Sequence, residues 1–193
     1  NNILSGIATF PEVLMMNEKL DPNIRDALKI IRNSGKKASA VVSDLLTVSR
    51  GVSAEKEVLN LNTIIERYVA APDFIKIKEA HPGVDTKIEY ETELLNIQGS
   101  YTHVEKIVMN LFLNAMEEVS GLDRGCVRIS THNSYIDAAD TGPEGVRDGE
   151  YAVLRVTDNG SCIDDDQIKQ IFNPFYTQKE MGKSGTGLGL TVV

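Results

Sequence analysis

The stretch "GKSGTGLGL", residues 182–190, places Gly185, Gly187 and Gly189 at every second position, directly before the apolar run "LTVV". Glycines at that spacing make a loop whose backbone amides can wrap an anion and then become the first turn of a helix. Two other phosphate loops are each excluded by single residues. A G-x-x-x-x-G-K-[ST] loop using Gly182, Lys183 and Ser184 needs glycine at 177, where Thr177 stands. A G-x-G-x-x-G loop starting at Gly185 needs glycine at 190, where Leu190 stands. It also needs a buried strand upstream, and "NPFYTQKEMGKS" is polar and contains proline.

Three further groups have residue types suited to binding. Asn110 and Asn114 in "MNLFLNA" are four positions apart and so share one face of a helix. A pair of neutral amide oxygens there can ligate a hard Mg²⁺ ion that keeps most of its waters and bridges phosphates. The plainer alternative is two asparagines on a solvated face; against it, their neighbours Leu111 and Ala115 fall on the apolar stripe. Asp158 in "VTDNGSCID" ends a strand and precedes Gly160, so its carboxylate can accept from an exocyclic amine while the glycine lets an aromatic base approach the backbone. An ordinary strand-to-turn Asp-Asn-Gly is the alternative. Phe172 and Phe175 flank Asn173-Pro174, and taken singly they read as core aromatics. Lys179 and Lys183 are within reach of a phosphate held by the glycines, though solvated lysines are the commoner case.

These residues need a scaffold, and the chain is long enough to supply one. Its 193 residues are 41% hydrophobic, enough for one domain with a core plus a smaller appendage. A formal charge of -8 argues against nucleic acid as a partner, so an anionic ligand must be held locally. Cys126 and Cys162 fit neither a disulfide framework nor a metal site and read as reduced thiols of a cytoplasmic protein. No apolar run is long enough for a membrane span, and no signal peptide is visible. The chain begins without Met and stops inside an apolar pattern, which reads as a segment of a longer polypeptide.

Residues 3–16 put Ile3, Ile7, Phe10 and Leu14 at helical spacing, with Pro11 expected to kink the element or open a second turn. Asp21 as N-cap and Pro22 at the first helical position begin a longer helix, whose stripe runs from Ile24 to Val48 and stops at Gly51. Two such amphipathic helices cannot bury both apolar faces alone, so the hairpin of residues 1–51 is expected to pair with a second copy as a four-helix bundle. From residue 57 to 193 helices and strands alternate. "EVLNL" and "TKIEYE" read as strands, and "NTIIERYVAA" reads as a helix. "YTHVEKIVMNLFLNAMEEVSG" reads as a longer helix with Ile107, Leu111, Ala115 and Val119 inward and Gly121 as terminator. "CVRISTHN" and "EYAVLRVTD" read as an antiparallel pair, and "DDDQIKQIF" as a helix with acidic residues at its start.

The four groups stand in a fixed order: Asn110 and Asn114; Asp158, Asn159 and Gly160; Phe172 and Phe175; then the three glycines. In that order and spacing they resemble the N, G1, F and G2 boxes of the sensor histidine kinases, members of the gyrase, heat-shock-90 and mismatch-repair ATPase superfamily. The resemblance implies an α+β fold, a helical hairpin followed by a two-layer α/β sandwich with a mixed, largely antiparallel sheet. It implies ATP and Mg²⁺ as ligands, with Asp158 and Gly160 at adenine and Mg²⁺ on Asn114 and Asn110. Ile163, Phe172, Phe175, Lys179, Gly185, Thr186, Gly187, Leu188 and Gly189 complete the nucleotide site, with 177–184 as its lid and the segment of Phe172 and Phe175 as the hinge that packs that lid against the core. In the family a second glycine is usual where Cys162 stands, and the added side chain near the base works against nucleotide affinity.

The opening "NNILSGI" resembles the residues just after the phosphoacceptor in the family's H-[DE]-L-x-N pattern, and "LLTVSR" the end of the second hairpin helix. The acceptor histidine is then expected three residues before Asn1, since none of His81, His103 or His132 falls on the hairpin. The implied function is an ATP-dependent protein histidine kinase acting in signal transduction, a hairpin homodimer that passes its phosphoryl group to a response-regulator receiver domain. Two alternatives stay open: a catalytically weak scaffold for a regulator, and another ATPase of the superfamily. The latter is disfavoured because Asn110 stands where those enzymes place a carboxylate that activates water.

Overall fold

The structure is a computed structural model describing residues 2–50, 55–137, 146–177 and 187–193. It opens with a hairpin of α1 (Asn2–Met15) and α2 (Pro22–Arg50). The turn between them is set locally: the Asp21 carboxylate accepts the Asn23 N–H at 2.8 Å, and Pro22 gives up an N–H that the first helical turn leaves unpaired anyway. Arg25 then donates to the carbonyls of Met15 and Asn17, both at 2.9 Å, satisfying groups that the end of α1 leaves open. α1 continues through Pro11 as a single helix rather than opening a second turn. Pro11 is buried and, with Ile7, Phe10, Leu14 and Ile31, lines an apolar groove of about 330 Å³. Phe10, Leu14, Ile24 and Ile31 each remain half or more exposed on this hairpin, or nearly so. An exposed Glu12–Lys36 pair at 2.8 Å links the helices, and Lys36 holds the Glu12 carboxyl below the usual range.

The rest of the chain runs β1 (Glu57–Leu59), α3 (Leu61–Ala70), α4 (Pro72–Ala80), β2 (Asp85–Glu89), β3 (Ile97–Gly99), α5 (Tyr101–Glu118), β4 (Cys126–Ile136), β5 (Gly149–Asp158), α6 (Asp165–Ile168) and a closing 3-10 turn, Leu190–Val192. β2 lies parallel to β4 and β4 antiparallel to β5, while β1 and β3 form a separate antiparallel ribbon. The fold is thus α+β with a mixed sheet. β3 and α4 were not anticipated, because a three-residue strand carries no readable period and α4 follows α3 after one residue. α6 is only four residues long: Asp164 and Gln167 close a capping box, and the chain then enters turns that end at Pro174 and Phe175.

The core lies between α3, α4 and α5 and the inner face of β4. Val127 and Ile129 are buried there, and Leu154 and Val156 of β5 pack on the same side. α5 buries Val108, Phe112, Ala115 and Met116, and Val119 is buried at its C-cap; of the expected stripe Ala115 and Val119 face inward, while Val108 and Phe112 take the places expected of Ile107 and Leu111, which are half-buried. "IVMNLFLNAM" is apolar nearly all round, so periodicity left the face open. Packing chose Phe112, which stacks on Phe74 with centroids 4.8 Å apart, with Tyr68 edge-on to both. The Tyr68 hydroxyl is buried without a hydrogen-bond partner, and burial pushes its pKa up to about 12, with the Asp73 charge adding to the shift.

Candidate functional site

α5 is the axis on which the predicted residues collect. Asn110 and Asn114 lie one turn apart on it, both half-buried. The Asn110 amide donates through Nδ2 to the Gly189 carbonyl at 2.8 Å, across 79 residues of sequence. That bond fixes which end of the amide points back to the chain and leaves Oδ1 as the free acceptor. The closing segment is held by a second tie. The Phe175 N–H donates to the Gly187 carbonyl at 2.9 Å, with Gly187 at φ +68° and Phe175 at φ +66°. Leu188, between the two ties, is fully buried, and Gly189 is helical and opens the 3-10 turn. Gly189 is thus brought against α5 and Gly187 against Phe175, with Leu188 buried between them, while Lys179, Gly185 and Thr186 lie outside the described residues, as does Lys183.

Near the C-terminal end of α5 lies the end of β5. Asp158 continues the face of Leu154 and Val156, since strand side chains alternate, and its side chain is exposed where the strand runs out. Its Oδ1 accepts the Gly160 N–H at 2.8 Å. A Cβ on Gly160 would lie 2.5 Å from Glu118 Cγ, so the glycine lets this turn seat on α5 itself, a packing role beside the one expected toward a base. Two residues that the sequence reading left without a role hold the same turn. Asn159 bonds to Arg124 and Cys126 at the start of β4, and Ser161 donates its hydroxyl to the Glu118 carboxylate. No sequence signal links positions 159 and 126; only the β4–β5 register brings them together.

Phe172 is 54% exposed and Phe175 60%, so neither is the plain core aromatic that each suggests when taken singly, and Ile163 and Ile168, earlier in the same segment, are half exposed too. The physical reason is that α6 stops after one turn, leaving 169–175 as turns over the surface rather than a helix with a buried face. Cys162 is exposed and Cys126 half-buried, both free thiols.

The donor set bears on ligands. Among the described residues no cluster of three or more His, Cys, Asp or Glu could hold a metal ion. A cation here would rest on the Asn110 and Asn114 amide oxygens with oxygens of a bound phosphate and water, which fits Mg²⁺ and not a soft metal. Among the described residues no helix is long and apolar enough to cross a membrane. The two groups are spaced by α5: from Asn110 to Glu118 is about 12 Å along the axis.

Residues 99–193 match the family of histidine kinase-, DNA gyrase B-, and HSP90-like ATPases. Over the whole chain the protein is 32% identical to sensor kinase CckA of Brucella abortus, of which it covers 20%. It is 27% identical to sporulation kinase B of Bacillus subtilis across 99% of this chain and 40% of that one. Of solved structures, full-length ShkA in complex with AMPPNP has a TM-score of 0.68 at 19% identity, over 99% of this chain and 37% of that one. Histidine kinase ThkA in complex with the response regulator TrrA has a TM-score of 0.59 at 20% identity, over 93% and 48%. At such identities the structures speak for the fold. The C-terminal half of the chain is thus an ATPase domain of the sensor histidine kinase type. The chain spans about a fifth to two fifths of the length of these two curated relatives.

Proposed function

We propose that this chain is the dimerisation and catalytic portion of a sensor histidine kinase, with a hairpin over 1–51 and an ATP-binding domain over 57–193. The observation that carries the reading is the Asn110–Gly189 bond, which seats the end of the glycine segment on the asparagine face of α5, about two helical turns from the Asp158 turn. In this reading Asp158 accepts from the adenine amine, Gly160 and Ile163 border the base, and Gly185 to Gly189 offer amides to the phosphates. Phe172 and Phe175 flank the approach to the site, and Lys179 reaches phosphate. Bound Mg²⁺ would neutralise phosphate charge, held by Asn114 and by the Asn110 oxygen that the Gly189 bond leaves free.

The chain's own work in such a reaction is positioning and charge stabilisation. ATP presents its γ-phosphate to a hairpin histidine outside these 193 residues, and the phosphoryl group passes on to a response-regulator aspartate. The half-exposed apolar face of α1 and α2 supports pairing with a second copy. Calorimetry with Mg-ADP tests the binding step: Asp158→Ala should weaken binding by roughly 1 to 3 kcal/mol, and equal affinity would remove the adenine assignment. The exposed Cys162 beside the Asp158 turn supports a second reading, a scaffold with weak nucleotide binding. Undetectable Mg-ADP binding by the wild type would favour that reading.

A further inference from the structure

Asp158 and Asn159 leave β5 together but are used differently. The Asn159 amide is held at both ends: Nδ2 donates to the Arg124 carbonyl at 2.8 Å, and Oδ1 accepts the Cys126 N–H at 2.7 Å. Its backbone N–H donates to the Cys126 carbonyl at 3.2 Å. Val127 and Asp158 are the last paired residues of the β4–β5 ladder; in the next rung the Asn159 backbone N–H makes one bond to Cys126, and its side-chain Oδ1 stands in for the backbone carbonyl as the acceptor of the other. A short amide does this because it carries a donor and an acceptor side by side; aspartate there would lose the donor. On the other flank, Ser161 is tied to Glu118 at the end of α5. Between these ties Asp158 Oδ1 takes the Gly160 N–H, which leaves Oδ2 as the oxygen open to a further donor.

We propose that Asn159 is a positioning residue for the Asp158 carboxylate and, through it, sets the preference for a purine that carries an exocyclic amine. The inference rests on the reading of Asp158 as the acceptor for that amine. The turn that follows Asp158 is anchored by Asn159 to β4 and by Ser161 to α5, and its Gly160 N–H, held between those two ties, orients the carboxylate. Without the Asn159 bracket the turn can still form its Asp158–Gly160 bond, but it is no longer fixed relative to β4. The phosphate end of the site, on Asn110 and Gly189, is about two turns of α5 away and is unaffected.

The test titrates the 193-residue chain with Mg-ADP and with the Mg²⁺ complex of purine riboside diphosphate, which lacks only the amine. Wild type should prefer ADP, and Asp158→Ala should abolish the preference; equal binding of both ligands by wild type overturns the Asp158 reading and this inference together. Asn159→Ala should narrow the preference by about three- to tenfold, through weaker ADP binding alone, with the amine-free ligand changed by less than about twofold. If both ligands weaken equally, or ADP binding is unchanged, Asn159 has no positioning role while Asp158 keeps its own. Asn159→Asp retains the acceptor toward Cys126 and should fall between. It carries the same test, with the same overturning results, if far-ultraviolet circular dichroism shows that Asn159→Ala does not fold.

Discussion

Phe175 and Gly187 are paired through their backbones, N–H to carbonyl at 2.9 Å, with both residues in the left-handed region. The approach is so close that a Cβ on Gly187 would lie 2.5 Å from the Phe175 carbonyl carbon. Gly187→Ala therefore meets backbone as well as an unfavourable φ, and should cost about 2 kcal/mol or more. For a chain of this size that is a fall in melting temperature of about 4–8 °C, measurable by calorimetry. Phe175→Gly keeps the hydrogen bond and relieves the left-handed strain, so its melting temperature should stay within about 3 °C of wild type. A Gly187→Ala variant that melts with wild type would show that this pairing does not hold the segment.

Asn110 should respond to the loss of its donor more than to the loss of its size. Asn110→Ala removes the bond to the Gly189 carbonyl and should cost about 1 kcal/mol. Asn110→Asp keeps the shape but sets a carboxylate oxygen against that carbonyl, and should be the less stable of the two in urea denaturation. The reverse order would mean that the Asn110–Gly189 bond does not hold the segment.

Tyr68 gives a stability change with a defined pH window. Its hydroxyl is buried without a partner, so Tyr68→Phe should be neutral or stabilising by up to about 1 kcal/mol. Burial raises the folded pKa from 10.0 to about 12. Between those values the unfolded chain gives up the proton while the folded chain keeps it. The stability is therefore complete below pH 10 and falls as pH rises toward 12, by as much as about 2–3 kcal/mol. In Tyr68→Phe that part of the alkaline decline should disappear, which denaturant melts from pH 8 to 11.5 would reveal.

The histidines predict a labelling pattern. His81 closes α4 with Nδ1 2.9 Å from the Ile77 carbonyl, His103 lies in α5 and His132 in β4, so none is on the hairpin. With γ-labelled ATP under alkaline conditions, which preserve phosphohistidine, the 193-residue chain should take no acid-labile label. A version extended upstream through the expected histidine should take it. Label on the shorter chain would make one of these three the acceptor and displace the hairpin from that role.

Sequence alone determined what depends on neighbours along the chain. Asp21 and Pro22 begin α2 because capping is decided within three residues. The hairpin, the α+β class and the ordered groups of asparagines, Asp-Asn-Gly and glycines were legible for the same reason, as residue types at short spacing. Tertiary structure decided what depends on partners far away. It selected Phe112 rather than Leu111 for the core, because an all-round apolar helix takes its face from the aromatic ring it meets. It left Phe172 and Phe175 on the surface, because α6 ended early. It joined Asn110 to Gly189 over 79 positions and Asn159 to Cys126 over 33, bonds that exist only once α5 and the β4–β5 register bring each side-chain amide within 3 Å of the distant backbone. A hydrogen bond requires proximity in space, and at such separations only the folded chain supplies it.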